Sequence, residues 1–207
     1  MFYCAYDLNI DITDLKKELI SYTQNHPWTN WEDGKVVDNH FIDYKLIGNE
    51  TLKFYDLFNY SFLSKVRITK TLANTEYPPH IDMHVDEKDY FPGEVVPSAI
   101  RTSTINILLN GSVADPTNFY IDTTLQKIHH NDLTPLVSID KRPELRKIDS
   151  HILTNDNAAI VNTGEWHGIK HTSDRWLASF MFHPIVSWRS SIQYCRDHNL
   201  IIERDAQ

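Results

Sequence analysis

His80-Ile81-Asp82 sets an imidazole and a carboxylate two residues apart. In an extended segment, residues i and i+2 point to the same face, so both side chains can reach one metal ion. Pro78-Pro79 just before them bars a helix and makes a rigid entry to the motif. A third ligand has to come from elsewhere, and the segment Asn162-Thr163-Gly164-Glu165-Trp166-His167-Gly168 offers His167 after a later strand. Two imidazoles and a carboxylate on one face of an octahedral ion leave three positions open. That suits an iron(II) ion that must bind a co-substrate and oxygen. His80, Asp82 and His167 are therefore the expected metal ligands and catalytic centre. With 11 histidines and 28 acidic residues, an isolated His-x-Asp arises by chance, so the weight rests on a joint pattern.

That pattern is His80-Ile81-Asp82, then His167, then Arg175 on the next strand. It resembles the 2-oxoglutarate- and iron(II)-dependent oxygenase superfamily. The flanks resemble its prolyl and aspartyl/asparaginyl hydroxylase branches: Arg101 to Asn110 is similar to the strand after the first motif, and Ala158 to Thr163 to the strand leading to the second histidine. The similarity covers roughly the second half of the chain; the first part matches no known family. The resemblance implies a double-stranded β-helix (jelly-roll, cupin-like) core and iron(II) with 2-oxoglutarate as co-substrate. Ascorbate would serve as the reductant in vitro. The reaction would consume oxygen, release succinate and carbon dioxide, and hydroxylate a small-molecule, amino-acid or peptidyl substrate. Arg175 is then the expected cation for the distal carboxylate of 2-oxoglutarate, since a guanidinium forms a bidentate pair with a carboxylate and stays charged when buried.

His167 precedes Arg175 by eight residues, slightly short for the superfamily. His171 is the rival ligand. It leaves only four residues to Arg175, too few to run down a strand, turn and return, so reach favours His167. Along the strand of Arg101 to Leu109, Thr102, Thr104, Asn106 and Leu108 share one face, while Arg101, Ser103, Ile105, Ile107 and Leu109 share the other. The mainly polar face is expected to line the site. Asn106 would face the C1 carboxylate, with Thr104 beside it. Tyr120 is expected to reach either carboxylate through its hydroxyl, and Arg101 to lie near the strand entrance. His84 continues the alternation as a neighbour of the metal or of substrate. His129-His130 read as loop residues rather than zinc ligands, because neighbours in a strand face opposite sides.

The elements that must hold these residues follow an α+β order. A helix runs from Thr13 or Asp14, either of which would cap it, to about Asn25, ended by His26-Pro27. Trp28 to Asn39 reads as loop, and Asn49 to Leu63 as a second helix. Val66 to Leu72 alternates and is rich in β-branched residues, which predicts a strand. Further strands are predicted over Ala99–Leu109, Asn118–Asp122, Asp156–Asn162 and Trp176–Phe182, with a turn at Asn110-Gly111. His129 to His151 reads as a long polar excursion. From Val186 a closing helix carries Trp188, Ile192 and Cys195 at helical spacing. A single domain is expected over 1–207: helical support over about 1–63, β core over about 64–185, and a C-terminal helix over about 186–203.

The bulk numbers narrow the class. The chain has 207 residues, of which 41% are hydrophobic, enough for one full core. A net charge of -8 repels phosphate backbones and argues against nucleic-acid binding. Cys4 and Cys195 lie at opposite ends and form no Cys-x-x-Cys, so neither a disulfide framework nor a cysteine zinc cluster is expected. No membrane-length apolar run and no secretory leader are evident, so a cytoplasmic location is expected. Oligomeric state and the identity of the substrate are left open. A metal-binding cupin-like barrel without 2-oxoglutarate chemistry, and a nucleobase-oxidising oxygenase, are the alternatives.

Overall fold

The computed structural model describes residues 3–26, 36–59, 62–80, 103–111, 115–123, 144–183 and 186–204. Among them, β1 (Ala5–Asp7), α1 (Thr13–Asn25), β2 (Val36–Ile42), α2 (Asn49–Leu57), β3 (Leu63–Thr71) and β4 (Glu76–His80) come first. β5 (Thr104–Asn110), β6 (Thr117–Asp122), β7 (Leu145–His151), β8 (Ala158–Val161), β9 (Trp166–Lys170), β10 (Arg175–Phe182) and α3 (Trp188–Asp197) follow. Every strand pair is antiparallel. They build a six-stranded sheet in the order β1-β8-β5-β10-β3-β2 and a four-stranded sheet in the order β4-β9-β6-β7. No helix among the described residues is long and apolar enough to cross a membrane.

Period-two alternation gives the large sheet two different faces. Val66 and Ile68 on β3, Ile105, Ile107 and Leu109 on β5, and Ala178, Phe180 and Phe182 on β10 all join one buried cluster with the helices. Phe54 of α2 meets Phe180 at 4.5 Å between ring centroids. Leu15 and Leu19 of α1 and Ile192 and Cys195 of α3 complete that layer. Each fully buried Leu, Ile or Phe contributes about 1.5–3 kcal/mol, so this layer supplies most of the stability without using the other face. The other face is more polar and looks toward the small sheet. There Leu108, Ala159, Val161 and Phe119 form a smaller apolar cluster at the closed side.

Several boundaries differ from the sequence reading. Part of the segment read as loop is β2, pairing with β3 from Val36↔Thr71 to Ile42↔Val66. The second helix stops at Leu57, and Leu63 already opens β3; Asn59, at φ 50°, turns the chain between them. The polar excursion ends in β7, an edge strand on which Arg146 and Lys147 stay exposed while Asp149 is half-buried and pairs with Arg204. The segment between the last two predicted strands holds β9. β1 was not expected, since three residues carry no readable period. Thr13 and Asp14 lie inside α1 rather than capping it, and Asp11 Oδ1 accepts from the Thr13 amide at 2.9 Å instead. The start of α2 is capped from α1, with Glu18 accepting from the Glu50 and Thr51 amides at 3.0 and 2.7 Å. The predicted strand over Ala99–Leu109 begins at Thr104 among the described residues.

Candidate active site

A cavity of about 160 Å³ opens between the two sheets. Across the large sheet, the register stacks its lining in rows. Thr71 pairs with Arg175, Thr69 with Leu177, Arg67 with Ser179, and Met181 with Thr104. Ser179 also pairs with Asn106, so Arg67, Ser179 and Asn106 stand in one row. Arg175 and Ser179 are four residues apart, roughly 13 Å along the strand. Thr104 therefore lies at the far end of the cavity from Arg175, and the two cannot hold the same group.

The small sheet brings the histidines together. His80 ends β4, directly opposite His167 on β9, with ring centroids 4.5 Å apart. Gly168 permits this approach, because a Cβ there would lie 2.9 Å from the Tyr77 carbonyl oxygen and 3.0 Å from the Pro79 nitrogen. Each ring is held from behind: His80 Nδ1 meets the Pro78 carbonyl at 2.8 Å, and His167 Nδ1 meets the Glu165 carbonyl at 2.9 Å. A neutral imidazole that donates from Nδ1 carries its lone pair on Nε2, the arrangement found behind metal-ligating histidines. The fully buried Phe119 backs His167 at 6.3 Å. Among the described residues, no third His, Cys, Asp or Glu joins the pair. Asp82 lies outside the described residues, as do His84, Arg101, Thr102, His129 and His130.

Arg175 opens β10 and is 6% exposed. Burial pushes its guanidinium down to about 10, opposed by the Asp115 carboxylate, so it remains charged. Among the described residues its Nε has no hydrogen-bond partner, and neither have the buried Nδ1 of His171 and Oγ1 of Thr104. Burying such a donor without a partner costs about 1–3 kcal/mol, more for a charged one, so these atoms call for a ligand with acceptor oxygens. His171 lies just past β9 at the Arg175 end, edge-on to Tyr77 at 5.8 Å. Burial, and then Arg175, push it down to about 4, against the opposing pull of Asp115. His171 is thus a neutral wall residue, set apart from the His80–His167 pair by the length of β9.

Asn106 faces the cavity, as its alternation predicts. Ser179 Oγ donates to its Oδ1 at 2.8 Å, which leaves the carboxamide N–H2 as donors. Tyr120 is a correction. Phe119 takes the inward position opposite His167, so alternation turns Tyr120 to the other side, and it is not among the lining residues. Sequence reasoning did not single out Arg67, Tyr77 or Asp115. The first belongs to a legible polar face, Arg67, Thr69 and Thr71, on the alternating strand β3. Asp115 carried no local signal. It is 7% exposed and accepts from Thr172 N and Oγ1 at 2.9 and 2.8 Å, fixing the turn that leads into Arg175.

No known protein-family pattern matches this sequence, and no curated protein is significantly similar to it. Solved structures do match. The non-haem α-ketoglutarate-dependent carbocyclase SnoK from nogalamycin biosynthesis aligns with 86% of this chain and 78% of its own, at 13% identity and TM-score 0.54. The non-haem α-ketoglutarate-dependent epimerase SnoN from the same biosynthesis aligns with 86% and 76%, at 11% identity and TM-score 0.52. An oxidoreductase of the 2OG-Fe(II) oxygenase family from Burkholderia pseudomallei covers 87% and 84%, at 10% identity and TM-score 0.48. At these identities fold is what is shared, and the fold of this chain is similar to that of 2-oxoglutarate-dependent non-haem enzymes.

Proposed function

We propose that this protein is an iron(II)- and 2-oxoglutarate-dependent oxygenase whose two sheets form a double-stranded β-helix, acting on a small-molecule or peptidyl substrate. The observation that supports this best is one cavity holding a pair of back-bonded imidazoles and, apart from them, a buried guanidinium whose Nε has no partner among the described residues. A metal-binding barrel with other chemistry has no use for the second feature.

His80 and His167, with Asp82 from outside the described residues, would hold iron(II). Bound there with 2-oxoglutarate, it supplies oxidative decarboxylation to succinate and carbon dioxide, coupled to oxidation of a substrate carbon by O2. The remaining work falls to the chain's own residues. Arg175 pairs with the distal carboxylate of 2-oxoglutarate, and His171 beside it offers a neutral ring nitrogen. The Asn106 amide donates toward the C1 carboxylate, with the Thr104 hydroxyl next to it on the same face. Leu177, Ile169 and Val161 keep water from the space between. Hydroxylation is the outcome favoured by the sequence resemblance. The neighbouring carbocyclase and epimerase mean that outcomes other than hydroxylation fit this fold equally well.

The test is iron(II)-dependent conversion of 2-oxoglutarate to succinate, with ascorbate keeping the iron reduced. Arg175→Gln should raise the half-saturating 2-oxoglutarate concentration by about tenfold to a hundredfold, the worth of a buried charge-assisted pair. Succinate formation indifferent to iron would refute the proposal.

A further inference from the structure

We infer that Ile121 and Arg146 form an outer subsite at the mouth of the cavity, and that the molecule to be oxidised is a monocarboxylic acid with an extended carbon skeleton. This rests on the oxygenase reading above and adds the substrate class to it. On the small sheet Thr117 lines the cavity and Phe119 stands opposite His167, so alternation puts Ile121 on the same inner face. Phe119 is fully buried, whereas Ile121, two residues on, is 42% exposed. At the other end Thr71, Asp115, His171 and Arg175 are all buried. The cavity is therefore closed at Arg175 and opens toward Ile121. Ile121 pairs with Arg146 on β7, and residues directly opposite each other in a sheet share a face. An exposed cation thus adjoins an exposed apolar side chain at the mouth.

Among the described residues the Arg146 guanidinium makes no hydrogen bond and no ion pair. Asp149, a carboxylate further along β7, is already engaged by Arg204 at 3.1 Å and by the Cys4 amide at 2.9 Å. Lys147 pairs with Tyr120 and so turns to the other face. A single guanidinium in a chain of net charge -8 matches one carboxylate better than a phosphate dianion. 2-Oxoglutarate approaches from the opposite side: Arg175 follows the Lys170 end of β9, whereas Ile121 and Arg146 lie past its Trp166 end. The cavity, about 160 Å³, is smaller than the roughly 300 Å³ at which ligand pockets begin, so the body of a second molecule rests outside it, along Ile121. Arg146 stands two strands across and two residues along from His167, roughly 12 Å between Cα atoms. An extended arginine side chain covers about 7 Å of that, so the carboxylate and the carbon oxidised are separated by at least about four carbon–carbon bonds.

The test uses protein supplied with iron(II) and 2-oxoglutarate. The probes are straight-chain monocarboxylic acids of increasing length, each beside its primary amide, and succinate release is the readout. Acids of about six carbons or more should stimulate release above the substrate-free rate, shorter ones should not, and each amide should fail by about tenfold or more. Arg146→Gln should raise the half-saturating concentration of an active acid at least about tenfold more than it raises that of 2-oxoglutarate, and Arg146→Lys should restore part of the loss. Ile121→Asp should weaken the same acid by repelling its carboxylate and wetting its path. Stimulation by no acid, equal stimulation by acid and amide, or an Arg146→Gln effect as large on 2-oxoglutarate as on the acid would each overturn the assignment. Wild-type protein that converts no 2-oxoglutarate at all would instead strike the oxygenase reading itself, and this inference with it.

Discussion

Arg175 and His171 adjoin in the cavity, and burial acts on them differently. The guanidinium keeps its charge near neutral pH, while the imidazole loses it. A buried histidine that refuses a proton binds fewer protons than the unfolded chain as pH falls from 6.5 toward about 4. Its effect is a stability that rises with pH through that window and is level above it. His171→Gln should flatten this part of the pH dependence, read as urea midpoints in the presence of a chelator; an unchanged slope would mean that His171 is protonated in the fold. At this scale the sequence was informative where alternation was clean. Asn106 and Thr104 fall on the inward face because Ile105, Ile107 and Leu109 need the other one. Tyr120 misled because its strand is short and offers two aromatics, and only the register tells that Phe119 is the inward one. That Thr104 and Arg175 lie at opposite ends also needed the register, which no single segment carries.

Strands and turns position these side chains, and two glycines mark where they are forced together. Gly111 has φ 135°, which favours glycine, and a Cβ there would lie 2.7 Å from the Asp174 carbonyl oxygen and 2.8 Å from Arg175 Cα. Gly111→Ala should destabilise the fold by about 1–3 kcal/mol through strain and overpacking, and weaken 2-oxoglutarate binding by moving Arg175. Denaturant melts and ligand titration of the same variant check both. Gly168→Ala acts on the other sheet. It pushes β4, and His80 with it, away from β9, so cobalt(II) affinity should fall by about tenfold or more, as when a support behind a metal ligand is lost. Unaltered affinity would place the metal elsewhere. The elements legible in sequence were the helices and the strands rich in apolar or β-branched residues: β3, β5, β6, β8 and β10. β7 escaped because Leu145-Arg146-Lys147-Ile148-Asp149-Ser150-His151 is an edge strand with mostly polar side chains and no clean alternation, and β1 because it is too short to show a period.

In the whole molecule the two faces of the large sheet divide the work. One face packs on three helices and holds the fold together; the other, opposite the small sheet, forms the cavity. Ligands that bind between the sheets should therefore stabilise the native state by mass action. Iron(II) and 2-oxoglutarate at about a hundred times their dissociation constants each contribute on the order of 2.7 kcal/mol, seen as a higher melting temperature under anaerobic conditions. No rise would mean that the cavity takes neither. The α+β order, with strands as the main body, was legible from the succession of periods, whereas the partition into sheets of six and four strands depends on pairings distant in sequence. The central claim is that His80, His167 and Arg175 serve one iron–2-oxoglutarate site. It is tested most directly by adding iron(II) and 2-oxoglutarate to the protein without oxygen and recording the weak visible charge-transfer band of the chelate. The band should form in the wild type, vanish in His167→Ala, and require far more 2-oxoglutarate in Arg175→Gln. Metal bound with no band, or a band indifferent to both substitutions, would contradict it.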